Sequence, residues 1–284
     1  MTGLHRLKRD RLEASVMAEG GALAGLTFDG IDLLVPAGGP RSDMASFPLV
    51  PFGNRLEFNR FTLSGRTFRF APNAADPLYL HGDGWLKTWA VEMVGEDAAQ
   101  LSLRQQPDGL TPYDYTARQR ISIGGDAVWI ELSVRNEAET ALPFGLGHHP
   151  FFRRTPGVRV TAAVGTFFNE REGHLPGEEA AVPADLDLPA GTTLPRRFFN
   201  NAFSGWDGKA EILWPELGIT ATIDTSPAHD VAMLYAPADR EDFFCFEPMT
   251  HLPNGHHRPD LGGLKILRQG EEMRSRMTIR FERH

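Results

Sequence analysis

Apolar and polar residues alternate along most of this chain, and glycine-centred turns interrupt the alternation. In "ARQRISIGGDAVWIELSVRNEAE" the pattern runs through Ile121 and Ile123 and breaks at Gly124-Gly125-Asp126. It then resumes through Val128, Ile130, Leu132 and Val134. Glycine supplies the positive φ that tight hairpin turns require, so this stretch predicts a β-hairpin. "KAEILWPELGITATI" repeats the pattern around Pro215 to Gly218, "NRLEFNRFTLSGRTFRF" around Ser64-Gly65, and "LKILRQGEEMRSRMTIRF" near Gln269-Gly270-Glu271. "DAAQLSLRQQ" and "DVAMLYAP" predict further short strands. No stretch sustains apolar residues at i, i+3, i+4 and i+7 over three turns, so helical periodicity is nearly absent.

A chain patterned this way buries one face of each strand against another sheet. The prediction is an all-β fold, a large antiparallel sandwich. Its 284 residues, 41 % of them hydrophobic, suffice for a full core in one domain spanning 1–284. "FFNEREGHLPGEEAAVPADLDLPAGTTLP" is rich in Pro, Gly and acid and reads as a long surface connection inside that domain.

Several functional classes fall away on composition. The net charge is −8 and the basic residues are scattered, which argues against a nucleic-acid face. No run approaches the ~20 apolar residues of a membrane span. The first residues lack the apolar core of a signal peptide, and the single cysteine, Cys245, excludes an internal disulfide framework. Together these predict a cytoplasmic location. There is no phosphate loop or dinucleotide fingerprint.

Three places set histidine or carboxylate among rigid apolar flanks: His81 in "LYLHGDGW", the pair His148 and His149 in "GLGHHPFF", and Glu247 in "FFCFEPMTHLPNG". Neighbouring residues on a strand point to opposite faces, so only one of the two adjacent histidines can face a given cleft. Glu247 shares its face with Phe243 and Cys245, where desolvation would raise its pKa toward that of a general base working near neutrality. Each residue also has a plainer reading: Glu247 as a strand-end carboxylate in water, His81 bonded to a loop carbonyl, Arg55 in "GNRLEF" an ordinary strand arginine. His251, His256 and His257 in "HLPNGHHRPD" lack a second ligand motif of known spacing and read as loop histidines.

Taken in order, these motifs resemble the aldose 1-epimerase family, the sugar mutarotases. "EGGALAGLTFDGIDLLVP" resembles the family's opening hairpin, and "FPLVPFGNRLEFNRFTLSGRTFRF" its Asn-Arg segment and following strand pair. "LHGDGWLKTWAV" is similar to its His-Gly segment with a downstream Trp, here Trp89. "GHHPFF" resembles its histidine motif, "FCFEPMTHLPNG" the segment carrying its glutamate, and "LKILRQGEEMRSRMTI" its closing strand pair. The resemblance implies the β-supersandwich of galactose mutarotase and a small-molecule sugar substrate. It implies Glu247 as base, His149 as acid, His81 as a substrate-binding residue and Arg55 as a clamp on sugar hydroxyls. It implies no metal or other cofactor. Where the family carries a hydroxyl-binding aspartate this chain has Asn200, with Asp207 nearby. The hexose-6-phosphate branch adds arginines around the His-Gly segment, where this chain has only Lys87, which favours an unphosphorylated aldose. The rival readings are a non-catalytic carbohydrate-binding sandwich using Trp85, Trp89 and Trp206 as platforms, a glycosidase with two carboxylates, and a histidine-rich metal-dependent sandwich.

Overall fold

A computed structural model describes residues 3–38 and 44–284. Two large sheets dominate it. The eleven-stranded sheet runs Leu4–Arg9, Leu12–Met17, Leu23–Phe28, Ser46–Leu49, Gly147–Arg153, Phe243–Met249, Val231–Ala236, Phe199–Ser204, Thr166–Arg171 and Leu175–Ala180, with Ile31–Asp32 beside Leu23–Phe28. The nine-stranded sheet runs Ala90–Met93, Ala98–Gln105, Tyr115–Gly124, Ala127–Asn136, Glu272–Arg283, Ile219–Thr225, Lys209–Trp214, Arg159–Ala162 and Thr192–Thr193. Neighbouring strands in both sheets are antiparallel, and the only helical elements among the described residues are short 3₁₀ turns. The all-β expectation therefore holds.

The hairpins at Gly124–Gly125, Ser64–Gly65 and Pro215–Gly218 form as their turns predict. Two readings need correction. Lys265–Leu267 does not pair with the strand that follows it. It pairs with Leu142–Phe144 in a separate small sheet, while Glu272–Arg283 lies between Ala127–Asn136 and Ile219–Thr225. The segment read as a surface connection instead carries nearly all of Thr166–Arg171 and the whole of Leu175–Ala180, a hairpin of the large sheet turned by Gly173 at φ 77° and His174 at φ 56°.

The main core fills the space between the sheets, with Phe152, Phe203, Phe244 and Phe246 from one and Ile130, Ile212, Ile223 and Phe281 from the other. A second, smaller cluster of Phe47, Leu49, Phe168, Ala202, Met233 and Met249 covers the opposite face of the eleven-stranded sheet. The middle of that sheet is thus covered on both sides. For this reason Phe243–Met249 is buried at every position and shows no alternation in exposure.

Candidate active site

The polar residues of interest lie on the second, cluster-bearing face of the eleven-stranded sheet. Residues directly opposite each other on adjacent strands share a face. Phe47 opposes His149, Phe151 opposes Cys245, Cys245 opposes Tyr235, and Tyr235 opposes Asn200. Counting by twos, Glu247 joins Cys245 and Phe243 on this face. Five consecutive strands thus present Phe47, His149, Glu247, Tyr235 and Asn200 to one hollow of about 410 Å³. His148 points the other way, and its ring stacks beside His229 at 6.1 Å.

Glu247 and His149 meet there. Their Oε1 and Nε2 lie 3.3 Å apart, with the side chains 3 % and 8 % exposed. Burial pushes the Glu247 carboxyl up to about 8, opposed by Arg55, and pushes the His149 imidazole down to about 3. A dominant ion pair would move both groups the other way; desolvation outweighs it here. The pair therefore holds one proton near neutrality and is uncharged. Phe47 stacks on His149 with centroids 4.5 Å apart, fixing the plane of its ring.

Two loops close the hollow. Asn54 and His81 lock each other: His81 N donates to Asn54 O at 2.9 Å, and Asn54 N donates to His81 Nδ1 at 3.1 Å. With Nδ1 accepting, the neutral ring carries its proton on Nε2 and presents it as a donor. Both sit at positive φ, Asn54 at 61° and His81 at 58°, a conformation uncommon for non-glycine residues. The His81 ring stands edge-on to His149 at 5.0 Å, and burial holds its pKa well below the usual imidazole range. Arg55 follows Asn54 and begins the short strand Arg55–Leu56, which pairs with Tyr79–Leu80. Arg55 Nε donates to Asp76 Oδ2 at 2.8 Å, which orients the rest of the guanidinium. Trp85 stacks on Phe47 at 5.4 Å and donates its Nε1–H to Leu80 O.

The hollow gathers all five residues singled out from the sequence: Glu247, His149, His81, Arg55 and Asn200. It also holds residues sequence reasoning missed, among them His174, Phe198, Tyr235, Asp239 and Arg240. His174 and its partner Glu170 come from the unforeseen hairpin; the Gly173-His174 turn in "NEREGHLPG" was the available signal. Other expectations resolve as structure. Asp207 is exposed and accepts from Lys209 N in a turn, away from the hollow. Trp89 and Trp206 are buried and offer no platform; Trp85 alone of the three lines the hollow. His251 Nε2 accepts from Gly53 N, and His256 packs between Phe52 and Phe61.

A cation is the one cofactor these residues could hold. Ligand atoms of His149, Cys245 and Glu247 all lie within 4.8 Å of one another. Zinc bonds of about 2.0–2.3 Å span at most ~4.6 Å between donors, so the widest such spread would have to contract. Burial also raises the Cys245 thiol well above its ordinary pKa, which opposes the thiolate a metal needs. A larger groove of about 800 Å³ crosses the outward side of the nine-stranded sheet, but each titratable side chain lining it is exposed or half-exposed. The smaller hollow is where titratable groups are desolvated and in contact, and perturbed groups of that kind mark chemistry.

Fold and site together define a galactose mutarotase-like β-supersandwich with a polar hollow of about 410 Å³. A galactose mutarotase-like protein of Clostridium acetobutylicum has the same fold, with a TM-score of 0.86 at 18 % identity over 98 % of this chain and 95 % of its own. A family model described as aldose 1-epimerase matches residues 3–280, and the chain belongs to that family. Among its relatives is an uncharacterized Escherichia coli K12 protein, YphB, 37 % identical over 98 % of this chain and 99 % of its own length. A crystal structure from Escherichia coli K12, described as a candidate aldose 1-epimerase, superposes with a TM-score of 0.95 at 36 % identity, covering all of both chains.

Proposed function

We propose that the chain interconverts the α and β anomers of an unphosphorylated aldose, with Glu247 and His149 exchanging protons with the sugar. The observation that carries this reading is the 3.3 Å contact between the two groups at the hollow. Mutarotation removes a proton from the anomeric O1 and delivers one to the ring oxygen O5. Both oxygens are bonded to C1, so base and acid must sit side by side, as these two do.

In the productive state the shared proton is on His149 and Glu247 is a carboxylate. Sugar hydroxyls solvating the carboxylate, with Arg55 close by, favour that state. Glu247 takes the O1 proton, His149 Nε2 gives its proton to O5, the C1–O5 bond breaks and C1=O1 forms. This step converts a charged pair into a neutral one. The burial that disfavours both charges therefore favours ring opening. Rotation about C1–C2 presents the other face of the aldehyde, and the reverse transfers close the ring to the second anomer. The His81 Nε2–H stands ready to donate to a sugar oxygen, and the guanidinium of Arg55 to bind hydroxyls.

Charge supports an unphosphorylated substrate. Among the described residues, the two arginines lining the hollow are already matched by carboxylates, Arg55 by Asp76 and Arg240 by Asp242. Neither is an uncommitted cation waiting for a phosphate. The test is polarimetry of freshly dissolved pure anomers over a panel of pentoses and hexoses, in chelator. Wild type should outpace buffer for at least one sugar, and Glu247→Gln should slow it by about 10²–10⁴-fold. A panel indistinguishable from buffer refutes the reading. A non-catalytic binder would keep its sugar affinity in Glu247→Gln and accelerate nothing.

A further inference from the structure

The wall of the hollow opposite the loops contains a contact that the proton chemistry does not use. Asn200 Nδ2 donates to Glu170 Oε1 at 2.8 Å, and His174 Nδ1 bonds the same oxygen. Glu170 reaches this place by plain alternation: Phe168 pairs with Ala202, and two residues further along each strand Glu170 falls opposite Asn200. Phe168 two residues earlier packs in the small cluster below the hollow, and Ala202, in the same cluster, lies two residues from Asn200 on that face.

An ionised carboxylate only accepts hydrogen bonds, whereas an amide has one donating and one accepting end. The Glu170 contact therefore fixes which end of Asn200 is which: Nδ2 is committed, and Oδ1 is the end left over. No donor from the described residues reaches Oδ1, and Asn200 lines the hollow. An aspartate at 200 would bring two carboxylates to hydrogen-bond distance, and one would have to be protonated or swing away. Glu170 thus makes asparagine the compatible residue.

We propose that Glu170, braced by His174, is a positioning residue that presents the Asn200 amide oxygen as an acceptor for one sugar hydroxyl, so that residues 170 and 200 set sugar recognition as an interdependent pair. This rests on the mutarotase reading and deepens it. The wall selects a neutral aldose with a free hydroxyl there: a deoxy carbon leaves the oxygen unpaired, and a carboxylate or phosphate meets the negative charge of Glu170.

The test compares wild type, Glu170→Ala, Glu170→Gln, Asn200→Asp and the double variant Asn200→Asp/Glu170→Gln. KM and kcat are measured by polarimetry and sugar affinity by calorimetry, on the best aldose of the panel. Freeing the amide in Glu170→Ala should raise KM and Kd roughly threefold to tenfold with kcat nearly unchanged, the size of one neutral hydrogen bond. Glu170→Gln, whose side-chain oxygen still accepts from Asn200, should stay close to wild type. Asn200→Asp should bind more weakly, and the double variant should recover most of the loss. Unchanged KM and Kd in Glu170→Ala, or no recovery in the double variant, overturns the inference while the mutarotase reading stands. Sugar binding with the expected variant pattern but without turnover overturns the mutarotase reading and leaves the pairing intact. No binding of any aldose overturns both.

Discussion

At Glu247 and His149 one environment acts on two groups in opposite directions, and the activity should record it. The pair is competent while it holds one proton. Above about pH 8 the proton leaves and no acid remains; toward about pH 3 a second proton arrives and no base remains. A plot of kcat/KM against pH should therefore be flat through neutrality and fall on the alkaline side near 8, the two apparent values belonging to the pair and not to either residue. An alkaline limb displaced to below pH 6 would contradict this. The sequence made the two residues legible because period-two alternation put Glu247 on the Phe243 and Cys245 face and allowed only one of two adjacent histidines into the cleft. It could not reveal that Glu170 backs Asn200. That contact joins two neighbouring strands whose residues lie thirty positions apart, and which strands become neighbours is not encoded in any local pattern.

Among the elements, the loop carrying His81 depends on a glycine that nothing else can replace. Gly82 sits at φ 66°, and a β-carbon there would fall 2.3 Å from Val50 O and 2.7 Å from Pro51. Gly82→Ala has to push apart the two loops that Asn54 and His81 hold together. The expected cost is about 2–4 kcal/mol, combining overpacking with the positive φ. It should appear in urea denaturation together with a raised KM, since His81 moves with its loop; unchanged stability would show the loops are less tightly apposed than described. The same scale explains the two misread elements. A hairpin and two consecutive strands in different sheets look alike in sequence, so Lys265–Leu267 passed for the partner of Glu272–Arg283. The hairpin of Thr166–Arg171 and Leu175–Ala180 was hidden by Pro and Gly, which in this case sit at a tight turn and an irregular edge strand.

Over the whole molecule the all-β class followed from alternation, whereas which strands are neighbours depends on long-range packing. That packing buries His81, His148, His149, His229, His251 and His256, and each is held neutral, with values of about 3 or 4 where they are resolved. In the unfolded chain each takes up a proton near pH 6.5. Below that pH the unfolded state binds more protons than the folded one, so stability falls as pH falls, by about 1.4 kcal/mol per pH unit for each histidine. Glu247 and Asp83, whose pKa values burial raises to about 8 and about 6, act in the opposite sense and offset part of this. Thermal melts from pH 8 to pH 5 should decline steeply from just under 6.5; a level profile would mean these rings are wetter than they look. Biosynthesis meets a different constraint. Glu272–Arg283 is the bridge between the two halves of the nine-stranded sheet, yet a ribosome delivers it after both of its neighbours. Until it emerges, two nascent half-sheets each carry an open hydrogen-bonding rim, so the sheet can close only once the last strand is released.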